Sequence, residues 1–208
     1  MTKVKICGLQ RSEDIDFANR LLPDYVGFVF AASSRRVTAA QAHKLKAQLD
    51  LRVQAVGVFV QEEIDVIRQL AAAGTIDLIQ LHGDESPEYC RELRRRVRLP
   101  VIKVLRVRDE ASLADAAAYE CDYLLLDTYS KAGYGGSGQR FDSAVLKNIR
   151  LPRPYFLAGG LNADNVRTVL TAAPYAVDVS GGVEVDGYKD FEKMQAFIAT
   201  VKGSNKND

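Results

Sequence analysis

In LLLDTYSKAGYGGSGQRFD, residues 124–142, an apolar run delivers a carboxylate, Asp127, to the edge of a glycine-rich loop. A carboxylate there costs free energy unless it is solvated, paired or used, and partial burial would raise its pKa toward the range of a general acid. Two readings stand side by side: a general acid, or a cap for the loop TYSKAGYGG. Cys7, which ends VKIC, is either a small buried hydrophobe or a thiolate base, the latter if Lys5, Arg36 or a loop dipole lowers its pKa. His82, ending LIQLH, can hydrogen-bond a ligand or merely tie down its own loop. In AASSRRVT, Arg36 can grip a carboxylate as a fork while Arg35 beside it is directed to solvent, although the residues alone do not choose between the two arginines.

Two glycine pairs add an anion site. AGGLN carries Gly159 and Gly160, SGGVE carries Ser180, Gly181 and Gly182, and each follows an apolar run. Glycine lets backbone N–H groups approach phosphate closely, and helix starts behind such turns, NADNVRTV after the first pair and a short turn at VEVDG after the second, reinforce the pocket. The loop KAGYGGSGQRF would suit a mobile cover over a bound molecule.

Such groups need a frame to bring them together. Short β-branched runs recur at 4–7, 25–30, 53–60, 78–82, 101–107, 123–127, 155–159 and 176–180, and segments of helical spacing lie between them. Those segments are SEDIDFANRLL, TAAQAHKLKAQL, EEIDVIRQLAAAG, SPEYCRELRRRV, DEASLADAAAY, DSAVLKNI, NADNVRTVLTAA and DFEKMQAFIATV. Near-continuous apolar strands alternating with helices indicate a parallel sheet covered on its outside, and eight such units fit a single-domain (β/α)₈ barrel over residues 1–202. An open doubly wound sheet is the rival, but CGLQRSED after the first strand lacks the G-x-G-x-x-G turn. In a barrel of this kind the site forms at the C-terminal strand ends, and alternation along each strand turns Cys7, Asp127 and Asp178 to one mouth. Residues 203–208, ending in GSNKND, are expected to fray.

Composition excludes several classes. Lys and Arg number 28 against 27 Asp and Glu, a net charge of +1, which provides no field for nucleic acid or an anionic membrane surface. No apolar run reaches the roughly 18 residues of a spanning helix, and Met1 runs into VKICG without a leader, so a soluble cytoplasmic protein is expected. Cys7, Cys90 and Cys121 form no CxxC pair; the latter two read as core thiols, and His43 as solvated helix surface. No metal site is expected, because only one His lies near the mouth and no ligand pair has i, i+4 or CxxC spacing.

Taken together, VKICGL, GFVF with SRR, VGVFV, QLHGDE, LLLDTYSKAGYGGSGQRFD, LAGGLNADNV and AVDVSGGVE resemble the phosphoribosylanthranilate isomerase family of tryptophan biosynthesis, from residue 3 to the last helix. That resemblance implies an Amadori rearrangement of N-(5-phosphoribosyl)anthranilate to 1-(2-carboxyphenylamino)-1-deoxyribulose 5-phosphate with no metal or organic cofactor. It makes Asp127 the general acid toward the furanose oxygen and Cys7 the base toward the C2′ proton. Arg36 would hold the anthranilate carboxylate, Asp178 would approach the anthranilate nitrogen, and His82 would also contact substrate. Gly159, Gly160, Ser180, Gly181 and Gly182 would hold the phosphate. The scheme asks for a carboxyl pKa raised by an apolar setting and a thiol pKa lowered by nearby charge.

Several positions depart from the family pattern. Gln10 stands where Thr is common, Ala31 and Ala32 replace an aromatic-proline run, Ser143 replaces Trp, and Gly181 replaces a second Ser. These leave the acid and base intact and bear on affinity, through the packing around Arg36 and a hydroxyl contact to phosphate. The rival functions are a histidine-pathway aminoaldose isomerase, whose barrels typically place Asp where this chain has Cys7, and a non-catalytic barrel that binds phosphorylated ligands. A phosphorylated small molecule is the expected partner, with no nucleic acid or membrane, and a monomer is expected in preference to a homodimer.

Overall fold

The computed structural model describes residues 1–128 and 151–203. Eight parallel strands pair in chain order and close on themselves: β1 (Lys3–Cys7), β2 (Tyr25–Val29), β3 (Gln54–Phe59), β4 (Leu78–Leu81), β5 (Val101–Val107), β6 (Tyr123–Thr128), β7 (Tyr155–Leu157) and β8 (Ala176–Val179). Every expected strand is present, with its ends within two residues of those read from the sequence. Outside them lie α1 (Ser12–Leu21), α2 (Ala39–Gln48), α3 (Ile64–Ala72), α4 (Pro87–Arg96), α5 (Val166–Leu170) and α6 (Phe191–Gly203). No helix of the described residues is long and apolar enough to cross a membrane.

Local chemistry explains where these helices begin. Thr38 caps α2 by accepting from the Gln41 amide at 3.2 Å, and Ser86 caps α4 by accepting from that of Tyr89 at 3.2 Å, with Pro87 in the first turn. Three segments differ from expectation. DEASLADAAAY forms two 3₁₀ turns, Glu110–Leu113 and Ala116–Ala118, because Asp109 caps the first and, apart from Leu113 and Ala116, little of the segment is buried against the barrel. The helix expected over 162–173 shrinks to Val166–Leu170, since Asn162 captures the Asp164 and Asn165 amides in an Asx turn. VEVDG is a hairpin rather than a turn alone: β9 (Glu184–Val185) pairs antiparallel with β10 (Tyr188–Lys189), and Asp186 and Gly187 both take positive φ between them. The helix expected at DSAVLKNI, the loop KAGYGGSGQRF and Ser143 lie outside the described residues. At the far end α6 runs to Gly203, one residue past the expected end, and 204–208 are likewise outside.

Alternation along the strands sorts the barrel into an outer and an inner face. Outward side chains such as Ile6, Phe28, Phe59, Ile79 and Leu124 meet the helices in the main apolar core. Inside, Tyr25, Val56, Leu78, Ile102, Val104, Leu125, Phe156 and Ala176 pack on one another. Hydroxyls finish the N-terminal end: Tyr25 and Tyr175 meet at 3.0 Å, and Lys3 donates to Tyr25 at 3.3 Å. Toward the opposite end the interior becomes polar, with Lys5, Gln80, Asp127 and Asp178 all buried. This gradient marks the C-terminal mouth as the place for chemistry before any ligand is considered.

A buried ion pair lies outside the barrel. Lys103 donates to Glu85 at 2.6 Å and to the Gly83 carbonyl at 2.7 Å, while Glu85 also accepts from the Gly83 and Gln61 amides. Both partners are almost fully buried, so removing one leaves the other uncompensated. Lys103→Met is expected to cost about 3–5 kcal/mol of stability, read from urea unfolding. A loss below about 1 kcal/mol, the range of an exposed pair, would show that water reaches Glu85.

Candidate active site

The mouth is assembled by register. Lys5 on β1 lies beside Asp178 on β8, Cys7 beside Gly27 on β2, and Asp127 beside Arg106 on β5. These pairings turn Cys7, Asp127 and Asp178 to the same inward mouth, as alternation requires. Gly27 makes room for the thiol: a Cβ there would stand 2.7 Å from the Cys7 sulfur. Behind it, Ser180 donates its hydroxyl to the Cys7 carbonyl at 2.9 Å, tying loop 8 to the end of β1.

Lys5 sits under the sulfur, fully buried, and donates to both oxygens of Asp178 at 2.9 and 3.0 Å. Burial works against the ammonium, but the Asp178 charge and the Cys7 sulfur outweigh it and hold the Lys5 pKa above its ordinary value. Asp178 is pushed up by burial, against the pull of Lys5 and with the help of nearby Asp127. The Cys7 thiol is also pushed up, first by burial and then by Asp178, while Lys5 and Lys189 pull the other way. This corrects the expected lowering of the thiol: much of the Lys5 charge is matched by Asp178.

Asp127 ends β6 largely buried, with Oδ2 lying 3.5 Å from Nε2 of His82. His82 is half-buried, and its Nδ1 meets the amide nitrogen of Gln80 at 2.9 Å. His82 therefore faces the carboxylate as well as holding its strand end. Among the described residues no group of three or more His, Cys, Asp or Glu side chains is arranged to hold a metal.

The two glycine loops touch each other. A Cβ on Gly182 would fall 1.9 Å from the Leu161 carbonyl oxygen, so the loops after β7 and β8 pack backbone to backbone. Gly159 and Gly160 take φ of 99° and 60°, conformations open to glycine. The amides of Gly159, Gly160, Gly181 and Gly182 have no acceptor among the described residues. The helix start behind Gly160 contributes less than expected, because Asn162 already occupies its Asp164 and Asn165 amides.

Arg35 is not directed to solvent: it forks onto Glu184 at 2.7 and 2.6 Å, and its stem lies over Gly8, where a Cβ would come within 2.5 Å of it. Buried Lys189 donates to the same carboxylate at 2.5 Å and to the Ser180 carbonyl at 3.2 Å. Burial alone would raise the Glu184 pKa, but these two cations hold it below the ordinary value. Arg36 is exposed, and its guanidinium has no partner among the described residues. Ala31 is partly exposed and Ala32 exposed beside it, which leaves that rim open. Gln80, Glu184 and Lys189 were missed from sequence, and Lys5 and Arg35 were named there without the acids they pair with; only the Asp-Gly of the hairpin carried a signal for Glu184 and Lys189.

Cys90 and Cys121 are buried and unpaired with any other cysteine, and burial pushes the Cys90 thiol up to about 11. Exposed His43 leans its Nδ1 on the Thr75 hydroxyl at 3.3 Å, far from the mouth. Neither the two thiols nor this ring joins the site.

Comparison with known proteins agrees with this geometry. Residues 4–200 match the family model described as N-(5'phosphoribosyl)anthranilate (PRA) isomerase. The N-(5'-phosphoribosyl)anthranilate isomerase of Endomicrobium trichonymphae is 48% identical over 203 residues, covering 97% of this chain and 98% of its own. The crystal structure of phosphoribosyl anthranilate isomerase from Thermotoga maritima superposes with a TM-score of 0.89 at 39% identity, covering 98% of this chain and all of that one. Another, a phosphoribosyl anthranilate isomerase in complex with reduced 1-(o-carboxyphenylamino)-1-deoxyribulose 5-phosphate, gives 0.84 at 37% identity with the same coverage. By sequence over nearly its whole length and by the shape of its barrel, the chain belongs to the N-(5'-phosphoribosyl)anthranilate isomerase family.

Proposed function

We propose that this protein isomerises N-(5-phosphoribosyl)anthranilate to 1-(2-carboxyphenylamino)-1-deoxyribulose 5-phosphate, a step of tryptophan biosynthesis, with Asp127 as general acid and Cys7 as general base. The observation that carries it is the convergence of a largely buried carboxyl and a thiol on one barrel mouth, beside two touching glycine loops. Protonated Asp127 donates to the furanose ring oxygen; the C1′–oxygen bond breaks and the nitrogen lone pair forms the C1′=N bond of a protonated Schiff base. The Cys7 thiolate then takes the C2′ proton, and the C–H electron pair moves to C1′–C2′ as the iminium is neutralised to an enolamine. Tautomerisation gives the ketone, with one proton returned to C1′ and one leaving the C2′ oxygen.

Orientation comes from both ends of the substrate. The amides of Gly159, Gly160, Gly181 and Gly182, which meet no acceptor among the described residues, suit the phosphate, and Ser180 helps hold that loop against β1. Exposed Arg36, in the loop after β2, suits the anthranilate carboxylate, while Asp178, held by Lys5, suits the anthranilate nitrogen. His82 at the Asp127 carboxyl suits contact with the ribose. Nothing in this scheme calls on a metal or an organic cofactor. We read the chain as a cytoplasmic monomer. Sedimentation at working concentration checks the monomer.

The direct test is the fluorescence of freshly generated phosphoribosylanthranilate, whose decay should accelerate on adding the protein. An unchanged decay would return the choice to the histidine-pathway aminoaldose or the binding-only barrel. Gly182→Ala tests the phosphate loops separately, because a Cβ there must push Leu161 away. A displacement near 1 Å is expected to lower kcat/KM by about 10²-fold, and unchanged kinetics would remove these loops from the site.

A further inference from the structure

We infer that Gln80 is a positioning residue: its side-chain amide donates to Nδ1 of His82, fixing the imidazole as the neutral Nε2–H tautomer that presents its proton to Asp127. This deepens the acid assignment of Asp127 and rests on it. Gln80 is fully buried inside the barrel, in register with Val58 and Ile102. A primary amide among such neighbours is costly unless its hydrogen bonds are made. Among the described residues the amide nitrogen meets one partner, Nδ1 at 2.9 Å, and Oε1 meets none.

Gln80 and His82 are two residues apart and share a face, which aims the amide at the ring. An imidazole nitrogen that accepts from N–H carries no proton, so the neutral ring's hydrogen is on Nε2. Nε2 lies 3.5 Å from Asp127 Oδ2, a separation that a small rotation closes once a substrate is seated. The reversed amide would require Nδ1–H and would turn the Nε2 lone pair onto the carboxylate oxygen. In the assigned arrangement no proton passes between His82 and Asp127. When Asp127 gives its proton to the ring oxygen, the carboxylate left behind receives the Nε2–H hydrogen bond, which favours the transfer.

The chain holds two histidines, so long-range ¹⁵N–¹H spectra of the rings contain two patterns, and His43→Gln identifies the one belonging to His82. In the wild-type protein His82 should show a protonated Nε2 and an unprotonated Nδ1. Gln80→Glu, ionised beside the ring, offers Nδ1 only an acceptor, and it should place a proton there while lowering kcat by about 10–100-fold with KM little changed. A wild-type ring protonated at Nδ1 would overturn the inference, and so would a Gln80→Glu protein with an unaltered spectrum and unaltered kcat. If that variant does not fold, the wild-type spectrum alone decides. Failure of the acid assignment itself is separate: it would appear as full turnover in Asp127→Asn, whatever tautomer His82 shows.

Discussion

Asp127→Asn is expected to lower kcat by about 10²–10⁴-fold, the usual range for removing a general acid. Asn keeps the volume and can still hydrogen-bond, but its amide has no proton to release to a leaving oxygen. Ring opening would then expel an alkoxide unaided. Little else should change, because the Asp127 side chain meets His82 at 3.5 Å and carries no tight ion pair among the described residues. Far-ultraviolet dichroism and the unfolding midpoint should stay near wild type, and KM should move less than kcat. The measurement is single-substrate kinetics by fluorescence decay. Turnover within tenfold of wild type would mean that another group protonates the ring oxygen.

Cys7→Ser should produce a loss of similar size for a different reason. The change is close to isosteric beside Gly27, so packing survives, but a hydroxyl ionises far less readily than a thiol and the base is lost. The wild-type pH profile carries the same information with a definite sign. Burial raises the thiol above its ordinary value of 9.0, and the active form is the deprotonated one. Below that pKa, kcat/KM should rise with pH by about tenfold per unit, and it should level off only above the ordinary thiol value. In Cys7→Ser the rise should vanish from the accessible range. A wild-type profile flat from neutral pH upward would mean that the thiol is already ionised in the free protein, and that Lys5 and Lys189 outweigh its burial.

The barrel was readable because its strands are apolar on both faces and its helices on one, so period and composition alone separate the units. Readability failed where a polar side chain overrules the pattern. Asn162 and Asp109 each capture nearby amides and shorten or tighten the helix that periodicity suggested. That Cys7, Asp127, Asp178 and the glycine pairs gather at one mouth was legible because each stands at or beside a strand end. The acids that pair with the buried cations were not legible: Lys5 meets one 173 positions away, Lys103 one 18 away, and Arg35 one 149 away. Alternation turns Lys5 inward beside Cys7 but nothing local names its partner, and the choice between Arg35 and Arg36 depends on a hairpin far along the chain.

That last dependence has a bearing on synthesis. Because β8 closes the circle against β1, the groups joined at the seam, Lys5 with Asp178, Arg35 with Glu184 and Ser180 with the Cys7 carbonyl, come from opposite ends of translation. A ribosome-bound chain that has emerged through β7 has an ammonium with no counter-ion and an unclosed sheet edge. Such a fragment must stay open, or hold Lys5 in water, until β8 and the hairpin behind it appear. Catalytic competence therefore arrives in one late step, and the unclosed edges beside β1 and β7 are where a stalled chain is most exposed to aggregation.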